Sequence, residues 1–124
     1  MKNVLIIALD TVVPEVLDAE VLVVAPAVNS RLRHWLSDED AARRRAHDRV
    51  ALLVDRLEQR GVHAEGRIGD ADPLLAIADV LPTFPADEIV IAGAPADSTR
   101  LVPRARDRFA LPTFRADEPL PLAA

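Results

Sequence analysis

The chain has 124 residues, half of them hydrophobic, which suits one domain with a buried core. It has no cysteine, which excludes disulfides, zinc–thiolate sites and a thiol nucleophile, and His34, His47 and His63 share no metal-ligand spacing. A formal net charge of −5 argues against general nucleic-acid binding, which requires a surplus of Lys and Arg.

The run NVLIIAL at residues 3–9 is short and continuously apolar, the pattern of a central strand covered on both faces of a parallel sheet. Ten residues, DTVVPEVLDA, follow, and Pro14 limits any helix there to one or two turns. EVLVVAP at 20–26 reads as the second strand. Next comes a polar loop, NSRLRHW, and then a long helix capped by Ser37, with Asp40 at the capping-box position. Ala42, Ala46, Val50, Leu53, Val54 and Leu57 form its buried stripe, and Gly61 ends it. Arg43, Arg44 and Arg45 lie on the same helix. Acids balance the arginines along it, so these three are expected on a solvated face of ion pairs.

HAEGRIGD at 63–70 alternates, carries charges and holds two glycines, which suggests an edge strand. Asp70 or Asp72 caps a helix that begins near Pro73, buries Leu74, Ile77, Ala78 and Leu81, and stops at Pro82 and Pro85. EIVIAG at 88–93 is another buried strand. Pro103 is placed in the first turn of a short last helix with Val102, Ala105 and Phe109 on its inner side. LPTFRA offers a fifth strand. The alternation predicts an α/β three-layer sandwich, a parallel sheet of four to five strands between helices. The domain is expected to span 1–116, with a proline-rich tail at 117–124. The run at 4–9 is too short for a signal-peptide core, and no stretch approaches the ~20 apolar residues of a membrane span, so a cytoplasmic protein without membrane association is expected.

Three stretches together, VLVVAPAVNSRLRHWLSDED, GDADPLLAIADVLPTFPADEIVIA and RARDRFALPTF, resemble a universal stress protein domain of the divergent actinobacterial kind, over about residues 21–114. The resemblance rests on a strand ending in Ala-Pro, a long polar loop, and Gly-Asp-x-x-Pro-x-x-Ala-Ile before a helix. It implies strand order 3-2-1-4-5, the adenine nucleotide alpha hydrolase-like arrangement, with an adenine nucleotide such as ATP as the ligand in many members and a dimer through the last strand.

In that order ligands bind outside the carboxyl ends of the first and fourth strands. The candidate nucleotide-binding residues are therefore Asp10, Thr11, Gly93 and Ala94, with Ala25 and Pro26 on the neighbouring strand, and Ser98 and Thr99 further along. Asp10 matches an acidic residue that contacts adenosine in nucleotide-binding members, although an Asp ending a strand is also a common turn former. Arg31, Arg33 and Arg100 are candidate lid or anion contacts. Trp35 either stacks on a ligand or anchors the long helix.

The ATP-binding members carry Gly-x2-Gly-x9-Gly-Ser/Thr after the fourth strand, so that backbone N–H groups can approach phosphate. Counted from Gly93, those positions hold Ala96, Arg106 and Asp107. The expectation is a non-catalytic regulatory or binding module with weak or absent ATP binding, no catalytic residue and no metal. The alternatives are an enzyme acting on a phosphorylated or adenylated small molecule, or a structural interaction domain. Pro112, Pro119 and Pro121 around the last strand predict a monomer or weak homodimer.

Overall fold

A computed structural model describes residues 1–16, 18–27 and 39–117, with only the backbone of Glu39. Eight elements follow in order. They are β1 (Lys2–Ala8), β2 (Ala19–Pro26), α1 (Glu39–Gln59), β3 (His63–Gly69), α2 (Pro73–Val80), β4 (Glu88–Ala92), α3 (Pro95–Phe109) and β5 (Thr113–Arg115). The strands form one all-parallel sheet in the order β3-β2-β1-β4-β5. The fifth strand forms, although it is only three residues long. Ser37, the expected cap of α1, lies outside the described residues, as does the tail from 118.

Strand alternation divides the core between two faces. Val4, Ile6, Val21, Val23 and Val90 meet Ala46, Val50, Leu53 and Leu57 of α1 on one face. Leu5, Ile7, Leu22, Val24, Ile89 and Ile91 meet Leu74, Ile77 and Val80 of α2 and Val102 and Ala105 of α3 on the other. Ile6, Ile7, Val23, Val24, Ile89 and Ile91 are completely buried. Each such side chain contributes about 1.5–3 kcal/mol relative to exposure, so the continuous apolar runs account for where the sheet centre sits.

No helix forms among the described residues between β1 and β2, where one or two turns were expected. The register pairs Lys2 with Ala19, so residues 9–18 must return the full length of β1. That is about 20 Å at strand rise, whereas ten helical residues cover only about 15 Å. The described residues of the link are accordingly without a helical turn. Pro14 and Val16 are its buried residues, and Arg60 at the end of α1 donates to the Pro14 carbonyl at 3.5 Å.

The α1 stop is as expected. Gly61 has φ of 81°, a left-handed conformation that costs glycine little. Its N–H bonds the Glu58 carbonyl and the Val62 N–H bonds the Leu57 carbonyl, a Schellman closure with Leu57 and Val62 in one apolar cluster. Asp72, rather than Asp70, caps α2: its Oδ1 accepts from the Leu74 N–H at 3.0 Å. Asp70 Oδ1 instead accepts from the Asp72 N–H at 2.9 Å.

The last helix corrects the sequence reading. It runs for 15 residues from Pro95, and Pro103 lies in its interior. Pro95 is the N-terminal proline, with Asp97 in the first turn beside the positive helix end. Ser98, Val102 and Ala105 recur on one buried face, so packing holds the helix through the bond that Pro103 cannot donate.

Candidate functional site

The sheet changes direction of growth at β1, which has β2 on one side and β4 on the other. The carboxyl ends of these three strands bring Asp10, Pro26 and Gly93 to one end of the molecule. Backbone bonds tie that end together: the Leu9 and Asp10 N–H groups both donate to the Ala92 carbonyl, at 2.8 and 2.9 Å. Asp10 and Thr11 are exposed, and Asp10 Oδ1 accepts from the Thr11 N–H at 2.7 Å. A carboxylate has acceptor capacity beyond one such bond, so Asp10 can still accept a hydroxyl.

Gly93 has a packing role. A Cβ there would sit 3.2 Å from Leu9 Cβ and Cδ1, tighter than ordinary contact. Only Gly93 and Ala94 separate β4 from α3. The Ala94 carbonyl accepts the Asp97 and Ser98 N–H groups and the Ser98 hydroxyl, each at 3.0 Å. Ser98 is buried and turned into its own helix. Thr99 is exposed, and its Oγ1 accepts from Arg115 Nη1 at 3.4 Å. Arg100 is exposed and pairs with Asp97 at 3.4 Å.

On the other side of β1, Ala25 and Pro26 are buried at the end of β2. A residue the sequence reading passed over reaches this point. Arg49 of α1 donates from Nε to the Ala8 carbonyl at 3.2 Å and from Nη2 to the Pro26 carbonyl at 2.8 Å. One guanidinium thus bridges the ends of β1 and β2. Burial and the neighbouring Arg45 charge push the Arg49 pKa below the ordinary arginine value, and the Asp10 carboxylate opposes them.

Arg45 also departs from expectation. Arg43 and Arg44 are exposed, but Arg45 is half-buried, one turn before Arg49 on the same flank. None of the three forms an ion pair among the described residues, so the expected ion-pair face is not seen there. The available signal was the i, i+4 spacing of Arg45 and Arg49 beside the stripe of Ala42, Ala46 and Leu53. Arg31, Arg33 and Trp35 lie outside the described residues.

Among the described residues no cluster of three His, Asp or Glu side chains could hold a metal ion. No described helix is long and apolar enough to cross a membrane. No family model matches the chain, and no curated protein matches it. The arrangement offers the Asp10 carboxylate and the Arg49 guanidinium at the ends of β1 and β2, with Arg45 one helical turn before Arg49 and a tight turn after β4. It is suited to holding a polar ligand, and no described nucleophile is paired with a base.

Proposed function

We propose that the chain is a non-catalytic binding or regulatory module of the universal stress protein kind, in which tight ATP binding has been lost. The observation that carries this reading is the two-residue turn between β4 and α3. The strand order agrees with the one the resemblance implies. In ATP-binding members of the family, a glycine-bearing loop follows the fourth strand and cradles phosphate. Here the corresponding Ala96, Arg106 and Asp107 all belong to α3. Ala96 and Arg106 are ten residues apart, about 15 Å along a helix, so they cannot close around one triphosphate. The Asp97 and Ser98 N–H groups are already bonded to Ala94, and the Asp97 carboxylate repels phosphate.

Each charge-assisted hydrogen bond that is missing removes roughly 1.5–3 kcal/mol, and two or three together remove several orders of magnitude in affinity. ATP is therefore expected to bind no more tightly than AMP. Titration calorimetry with both nucleotides tests this. ATP binding at micromolar affinity, at least a hundredfold tighter than AMP, overturns it.

A further inference from the structure

Arg49 carries five N–H donors, and two of them meet the Ala8 and Pro26 carbonyls. Its Nη1 has no acceptor among the described residues. Both carbonyls are neutral, so no described carboxylate pairs with this half-buried cation within 4 Å. The like charge that acts on it is Arg45, four residues earlier, which makes no described hydrogen bond or ion pair. Side chains at that spacing have Cβ atoms about 5–6 Å apart. Arg45 and Arg49 thus share one flank of α1, and the like charge of Arg45 adds to the cost of desolvating Arg49. A leucine or methionine at either position would fill the same flank without that cost.

We propose that Arg45 and Arg49 form a binding site for a small phosphate anion, either free or as a phosphomonoester, over the carboxyl ends of β1 and β2. Arg49 is fixed by its two carbonyl bonds and presents its remaining donors in a set direction. Arg45, with no described hydrogen bond or ion pair, supplies the second guanidinium. Asp10 is the opposite charge that acts on Arg49, and its repulsion of a bound anion is what the two guanidinium groups together have to outweigh. The site lies on the helix side of the crevice, away from the β4–α3 turn, and does not depend on the family reading.

The test is calorimetry with inorganic phosphate and with a simple phosphomonoester at fixed ionic strength, on the wild type and on Arg45→Gln. Arg45 makes no described structural bond and its charge opposes that of Arg49, so this variant is expected to melt no lower than the wild type. The wild type is expected to bind phosphate saturably, and Arg45→Gln to weaken it about tenfold or more, the value of one charge-assisted bond. Arg49→Lys, which keeps the charge and loses the fork, is expected to weaken binding as well. Stronger binding of the monoester than of free phosphate identifies a phosphorylated metabolite as the ligand; equal binding identifies the free anion. No saturable binding of either probe, or unchanged affinity in Arg45→Gln, overturns the proposal and leaves the ATP–AMP comparison standing. Tight ATP binding that is lost in Arg45→Gln overturns the reading of lost ATP affinity and supports this site.

Discussion

The Cβ that Gly66 lacks would fall inside the Val50 methyl Cγ1, and Val54 Cγ2 would be 3.2 Å away. Val50 is β-branched and helical, so it has little freedom to rotate aside. Glycine here lets α1 lie directly on the edge strand. Gly66→Ala is expected to destabilise by about 1–3 kcal/mol, as overpacking does. In Gly66→Ala/Val50→Ala the two losses should be markedly less than additive, because the second change removes the methyl that the first collides with. Urea denaturation of the four proteins in the cycle checks this; additive losses would show that the strain is elsewhere. Neither Gly66 nor Arg49 was legible in these terms. A glycine in a charged strand signals weakness, but the close approach of a helix depends on a tertiary contact. Helical spacing likewise separates buried from exposed positions, yet does not say which strand ends a flanking arginine will reach.

Elements with one dominant local signal were legible, and elements with competing signals were not. The α1 stripe, its Gly61 stop and the buried strands each had a single reading. In α3, the proline rule at Pro103 competed with the start signals at Pro95 and Asp97 and with the face of Ser98, Val102 and Ala105, and the burial of that face decided the outcome. Pro103 is exposed, so its ring contributes little packing to offset the missing bond to the Thr99 carbonyl. An interior proline costs about 3 kcal/mol relative to alanine, and stiffening of the unfolded chain returns about 0.4–1 kcal/mol. Pro103→Ala is therefore expected to stabilise the protein by about 1–3 kcal/mol, read as a higher denaturation midpoint with an unchanged m-value. A neutral or destabilising result would mean that the helix bends at Pro103 in a way the packing requires.

At the scale of the molecule, alternation of strands and helices was enough to predict a parallel sheet, and the order 3-2-1-4-5 came from the family resemblance. The β1–β2 link was misread because its form is set by the distance it must span. Both sheet margins are poor templates for pairing. On β3, His63, Glu65 and Arg67 are exposed. On the other side, β5 has three residues after Pro112, and Arg106 donates twice to the Thr113 carbonyl, at 3.0 and 2.7 Å. The expected species is a monomer at micromolar concentration. Sedimentation equilibrium checks it, and a nanomolar dimer with exchange-protected β5 amides would overturn it.

β1 is made before the other four strands of its sheet and completed late. β1 lies at the middle of the sheet, and its amino end is bonded to Asp87, 84 residues further along the chain. During synthesis, β1 can pair with β2 at once, but its other edge stays open until β4 has left the ribosome. Through that interval Leu5 and Ile7 lack Ile89 and Ile91 beside them. A nascent chain stalled or cleaved before residue 88 therefore exposes an apolar edge in its centre, where the finished protein has none, and is a substrate for chaperones or for aggregation. Neither half of this sheet is finished without the other.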